Sequence, residues 1–198
     1  MEACVRSDPS SKAQHFCKMS HGQQWSTYEN LLAITHSVIV SILCIIGIFS
    51  CDQPGTYVTS DYCMNTPNIW LYRSLLFFSA YCFVDLCLCI LMIRDHKAQM
   101  ENYFHHILGI AGSSAGIIGG GYLAVIASVS LVTEFSTPFV NLRAILYDHQ
   151  IKSGPLYVWN GIAMTLMFFL ARVVFQSWLV YSKLYPLVWL GSGSTSPI

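Results

Sequence analysis

The sequence predicts an all-α fold, a polytopic transmembrane helical bundle of about five spans. Of the 198 residues, 54% are hydrophobic and only 10% are charged, whereas soluble domains carry roughly 25% charged residues. Mean hydropathy is +0.51. The apolar residues also fall in runs about as long as the ~20 residues a helix needs to cross the hydrocarbon core, separated by polar segments.

Residues 1–28 read as a polar, disorder-like arm (SDPSSKAQ) that ends near Trp25 and Tyr28, side chains suited to a membrane interface. Leu31–Ser50 is the first span and carries His36. Cys51–Asn68 is a loop rich in Asp, Gly, Thr and Pro, and Tyr72–Ile93 is the second span, with Asp85 inside it. A charged loop, Arg94–Asn102, leads to a shorter apolar helix, Phe104–Ile118, which Gly119, Gly120 and Gly121 break. Tyr122–Leu142 is its return, interrupted by Pro138, and Leu156–Tyr181 is the last span, containing Arg172. Leu184–Leu190 is too short to cross. The chain therefore divides into an arm (1–28), a transmembrane domain (29–183) and a short tail (184–198), with no internal repeat.

Formal net charge is zero and there is no Lys/Arg cluster, which argues against nucleic acid and against a polybasic headgroup patch. The first 30 residues contain no apolar signal-peptide core, so the first span is expected to act as its own targeting signal. Position 2 is Glu and the C-terminus has no Cys, so no lipidation signature is present. Counting Lys and Arg outside the spans favours a cytosolic N-terminus with residues 51–68 on the other side. There Cys51 and Cys63 would meet an oxidising compartment, where a disulfide and two free thiols are both open readings. Cys44, Cys82, Cys87 and Cys89 lie within apolar runs, where Cys behaves as a small hydrophobe.

An ionisable side chain at mid-bilayer costs about 2.5–3.5 kcal/mol and normally faces the bundle interior. His36, Asp85, His105, His106, Glu134 and Arg172 are such residues here. In the predicted topology Asp85 and Glu134 lie about 12 Å in from the cytosolic face. His36, the His pair, Asn141 and Asn160 fall in the same half. Glu134, Pro138 and Asn141 share one helix face by spacing, and Pro138 is expected to free a carbonyl beside them. Gly112, Gly116 and Gly120 have the small-xxx-small spacing of close helix packing, within the chain or in a homo-oligomer. Taken singly, each has a structural reading: an interfacial boundary for the His pair, helix glue for Asp85, a snorkelling or paired cation for Arg172. As a set, a His with a carboxylate to hold its tautomer is a workable general base. No CxxC, HExxH or paired ExxH spacing occurs, so no metal is assigned, and no GxSxG or phosphate loop is present.

Several segments together resemble the TLC-domain proteins, the superfamily that includes ceramide synthases. They are ENYFHHILGI, LVTEFSTPFVNLR, ITHSVIV, YCFVDLCL and NGIAMTLMFFLAR, and the likeness covers about residues 25–178. It implies a multi-pass bundle, usually in the endoplasmic reticulum, that acts on or regulates membrane lipids. In the ceramide synthase branch an acyl group passes from acyl-CoA to a sphingoid amine, using a His pair and a downstream Asp pair. This chain keeps the His pair as His105 and His106, but where the Asp pair would stand it has Glu134 followed by Ser136, Thr137 and Pro138. In this it resembles the small TLC domain-containing members of the 4 and 5 type. Family members usually carry a further span at each end, so a truncated isoform or an incomplete sequence is expected.

The resulting expectation is a membrane protein of lipid homeostasis that binds or modifies acyl lipids in a cytosol-facing cavity. For catalysis it offers His105 or His106 as base, oriented by Asp85 or Glu134. His36, Asn141, Arg143, Asn160 and Arg172 are expected to bind, with acyl-CoA as co-substrate and no resident cofactor. The alternatives are an acyltransferase of the ceramide synthase type, a non-catalytic lipid sensor, and a transporter component.

Overall fold

The computed structural model describes residues 20–52, 61–92 and 100–185. Most of the predicted arm, the 94–99 part of the charged loop, and the tail beyond residue 185 lie outside the described residues. No strand occurs among the described residues. The helices are α1 (His21–Phe49), α2 (Asp61–Asn65), α3 (Ile69–Met92), α4 (Met100–Gly119), α5 (Gly121–Ser130), α6 (Thr137–Asp148), α7 (Pro155–Phe168) and α8 (Gln176–Leu179).

α1 starts ten residues before the predicted span because its first turn is capped. The Ser20 hydroxyl accepts from the Gln23 backbone N–H, and the Gln23 side chain returns a bond to the Ser20 N–H. α5 and α6 are joined by a 3-10 turn, Leu131–Ser136, and together run as one 28-residue stretch. This corrects the expected role of Pro138. The Glu134 carbonyl that a proline at 138 would leave free accepts from the Thr137 N–H in the tightened turn, while Pro138 sits in the first turn of α6, where its missing N–H costs little. α7 continues through π-helical turns at Phe169–Phe175 and Val180–Leu184 on either side of α8.

Among the described residues, four stretches are long and apolar enough to cross a membrane: Gly22–Phe49, Ile69–Leu91, Gly121–Asp148 and Pro155–Leu184. α4 has 20 residues, about 30 Å of helix, but glycines, serines and two histidines hold it below the apolarity of those four. It nevertheless packs within the bundle, between α3 and α5.

The interior is unusual for a soluble domain. Ser37, Ser41, Ser74, Ser128 and Ser136 are buried together with Asp85, His106 and Glu134, while Ile42, Leu76, Phe83, Leu108 and Ile118 are exposed. In lipid no hydrophobic drive separates helices, so close backbone approach and polar bonds hold them. The Ser128 hydroxyl donates to the Leu71 carbonyl at 3.1 Å, and the Cys44 thiol to the Ser128 carbonyl at 3.1 Å. Asn160 Nδ2 donates to the Phe139 carbonyl at 2.9 Å.

The glycine face of α4 differs from the predicted one. A Cβ at Gly116 would meet Ala127 Cβ at 2.7 Å, and one at Gly109 would meet the Phe78 ring at 2.9 Å. Gly112 faces open space. Gly109, Ser113 and Gly116 therefore form the close-packed line, and it is used within the chain. Gly120 and Gly121 have φ of +61° and +46° and make the turn into α5.

At one end of the bundle Asn68 Nδ2 donates to the Gly47 and Ser50 carbonyls, and the Tyr122 hydroxyl donates to the Lys183 carbonyl. Cys51 and Cys63 are joined there in a disulfide, with Cα atoms 5.9 Å apart. At the opposite end the Ser26 hydroxyl donates to Asp148 Oδ2 at 3.0 Å.

Candidate functional site

Three helices bring polar side chains to one place in the half of the bundle away from the disulfide. α1 presents Glu29 and His36, seven residues apart and so on one face. α3 presents Tyr81, Asp85 and Cys89 at four-residue intervals, and α4 presents Asn102 and His106.

At the centre, His106 Nε2 lies 2.7 Å from Asp85 Oδ2, and both side chains are buried. This contact engages Nε2 with the carboxylate and leaves His106 Nδ1 as the ring nitrogen that Asp85 does not reach. Nδ1 has no hydrogen-bond partner among the described residues, and neither has Nδ1 or Nε2 of the buried His36. The His36 ring lies flat on Tyr81, 3.6 Å between centroids at 8°, and Tyr81 meets His106 edge-on at 5.8 Å. Three imidazole nitrogens are thus withdrawn from water around one aromatic ring. Buried polar atoms are nearly always paired, so the unpaired imidazole nitrogens set this centre apart from the rest of the helix interior.

Cys89 forms the next layer toward the end of the bundle. Its thiol lies 3.1 Å from Glu29 Oε1 and 3.7 Å from Asp85 Oδ2; the first is a donated hydrogen bond. Asn102 Nδ2 lies 3.7 Å from the same sulfur. The ligand atoms of Glu29, Asp85 and Cys89 fall within 4.8 Å of one another, close enough to hold a small cation. A protonated thiol bonded to Glu29 satisfies the same geometry without one.

The other predicted residues lie around this centre. His105 is exposed, on the neighbouring face of α4, within electrostatic reach of Glu134 and Arg172. Glu134 is buried in the 3-10 turn and accepts from the Thr137 hydroxyl at 2.7 Å. Arg172 Nε donates to the Ser136 hydroxyl at 3.1 Å, so the cation turns inward. Asn141 Nδ2 returns to the Thr137 carbonyl of its own helix, and Asn160 bonds α6 as described. Arg143 Nη1 donates to the Tyr157 carbonyl at 3.3 Å, with its guanidinium 4.1 Å over the Tyr157 ring. His36, Asp85 and His106 are thus brought together, whereas Asn141, Asn160 and Arg143 are engaged elsewhere.

Glu29, Tyr81, Cys89 and Asn102 were not singled out from the sequence. Glu29 precedes His36 by seven residues, and Tyr81 and Cys89 flank Asp85 by four, so helical spacing around the intramembrane ionisable residues would have found them.

The TLC domain profile matches residues 27–193. Among curated proteins the chain is 28% identical over 162 residues to TLC domain-containing protein 4 of Xenopus tropicalis, covering 79% of this chain and 58% of that protein. It is 29% identical over 150 residues to TLC domain-containing protein 4-B of Danio rerio, covering 72% and 52%. Against TLC domain-containing protein 1 of Rattus norvegicus the identity is 25% over 162 residues, covering 78% and 60%. The chain thus spans a little over half the length of the curated relatives it matches. No solved structure gives a significant match. With the domain profile covering most of its length, this chain belongs to the TLC domain family.

Proposed function

We propose that this protein acts in membrane lipid homeostasis by binding the polar end of an acyl lipid at the polar centre between α1, α3 and α4. The observation that carries this reading is the His106–Asp85 pair, with His106 Nδ1 and both His36 nitrogens buried and unbonded beside it. A hydroxyl or amine reaching this centre would meet imidazole nitrogens with no partner among the described residues. The desolvation of those nitrogens would be relieved only by such a guest or by water.

In the catalytic form of the proposal, His106 Nδ1 takes the proton of a lipid amine or hydroxyl as it attacks an acyl-CoA thioester. The new amide or ester bond forms, the C–S bond breaks, and the proton passes to the departing CoA thiolate. Asp85 steadies the imidazolium through Nε2. The second reading, a non-catalytic lipid sensor, is favoured by one observation. Glu134 is followed by Ser136, Thr137 and Pro138, and it bonds Thr137 rather than joining the His106 centre.

We place the N-terminus in the cytosol and the protein in the endoplasmic reticulum. The Lys/Arg distribution supports the orientation, and so does the Cys51–Cys63 disulfide at the opposite end, since disulfides persist in oxidising compartments.

The test is acyl transfer by the protein in lipid nanodiscs, with labelled acyl-CoA and a panel of sphingoid bases and lysolipids. Product formed by the wild type and lost in His106→Asn identifies an acyltransferase. Saturable lipid retention without product identifies a sensor, and neither outcome would refute both readings.

A further inference from the structure

The stretch Pro155–Leu184 is the least covered in the bundle. Its most apolar window is 11% buried, against 33–44% for the other three spans. Two apolar cavities, of about 670 and 410 Å³, lie along it and share Met164, Thr165 and Phe169, so they form one groove. From Tyr157 to Val173 the groove follows about 24 Å of helix. An acyl chain crossing one leaflet needs about 15 Å, half of the ~30 Å hydrocarbon core.

Arg143 stands at the end of this groove near Asp148. It also lines a third cavity of about 380 Å³, with Ser26, Tyr147, Asp148 and Tyr157. Its guanidinium is held by the Tyr157 carbonyl and ring. A Cβ at position 161 would run into Nη1, so glycine there is what lets the guanidinium lie across α7. Among the described residues no carboxylate forms an ion pair with Arg143, and Asp148 Oδ2 accepts from Ser26 instead. Lys152 stands over the Tyr147 ring at 3.9 Å, adding a second cation at this end. A fixed, unneutralised guanidinium at the polar mouth of an apolar groove matches a phosphate above an acyl chain.

We propose that this groove binds a phosphate-bearing membrane lipid, its acyl chain along Met164, Thr165 and Phe169 and its phosphate on Arg143. The proposal rests on the reading of the chain as a lipid-handling protein but not on the chemistry of His106, and the two fail separately. Preference for phospholipid over diacylglycerol should depend on Arg143, while acyl transfer should depend on His106.

The experiment is native mass spectrometry of the delipidated full chain, offered phosphatidic acid, phosphatidylcholine or diacylglycerol with matched acyl chains, and inorganic phosphate alone. Both phospholipids should be retained at least fivefold over diacylglycerol. Arg143→Gln should bring retention down to the diacylglycerol level, and Gly161→Ala should lower it while keeping the charge. Unchanged thermal unfolding of both variants would show that the fold is intact. Equal retention of diacylglycerol, binding of inorganic phosphate alone, or a dimer that occupies the groove and excludes lipid would overturn the proposal. So would retention unmoved by Arg143→Gln.

Discussion

His106 Nε2 sits 2.7 Å from Asp85 Oδ2, and this contact decides which atom of the imidazole is left for chemistry. With Nε2 engaged by the carboxylate, Nδ1 is the ring nitrogen left to meet a guest. The pair also joins α3 to α4 inside the bundle, so its removal has a structural consequence as well as a chemical one.

Replacing one member of a buried pair leaves the other without compensation, at a cost of about 3–5 kcal/mol. Asp85→Leu and His106→Leu should each destabilise the protein by an amount in that range. The double variant should recover much of the loss, because no unpaired polar group remains buried. Unfolding in detergent, read as a double-mutant cycle, checks this; additive losses would mean that the contact does not couple the helices.

His36 is held by stacking on Tyr81 and, among the described residues, makes no hydrogen bond through either nitrogen. His36→Phe should therefore keep or raise thermal stability while reducing lipid retention or turnover at least tenfold. A variant with full lipid activity would show that His36 is only a packing residue.

Gly112 and Gly116, two of the three glycines predicted to share one face, should behave differently. Gly116→Val forces a side chain against Ala127 and should cost about 1–3 kcal/mol. Gly112→Ala meets nothing and should be neutral or slightly stabilising. Comparing the two melting temperatures in one detergent is sufficient.

Cys51 and Cys63 close a loop of sequence separation 12. A cross-link of about that size stabilises by roughly 3 kcal/mol in the chain-entropy estimate. Cys51→Ser with Cys63→Ser should lower stability by an amount of that order. In sealed microsomes an impermeant thiol reagent should label the reduced wild-type pair only after the membrane is opened; labelling of intact vesicles would invert the proposed topology.

Much of this was legible from residue type and spacing. Apolar run lengths located the spans, and the expense of charge in lipid singled out His36, Asp85, His105, His106, Glu134 and Arg172 as inward-facing, of which His105 is instead exposed. The start of α1 was misplaced because a capping box on polar residues can extend a helix beyond its apolar run. Pro138 was read as a break, when a 3-10 turn absorbs the missing donor. Phe104–Ile118 was read as a shorter apolar helix, whereas α4 begins at Met100 and its small and polar residues lower its apolarity while suiting it to close packing.

The sequence by itself determined that the chain is a helical membrane protein with ionisable residues that must turn away from lipid, because the cost of backbone and charge in hydrocarbon leaves few alternatives. Only the tertiary structure decided which of those residues meet. Asp85 pairs with His106 rather than His105, Glu134 stays with Thr137, and Glu29 and Cys89 join the centre. Periodicity specifies the face on which a side chain lies, but the rotation and depth of one helix against another come from packing. Here the small residues Gly109, Ser113 and Gly116 set how closely α4 approaches its neighbours.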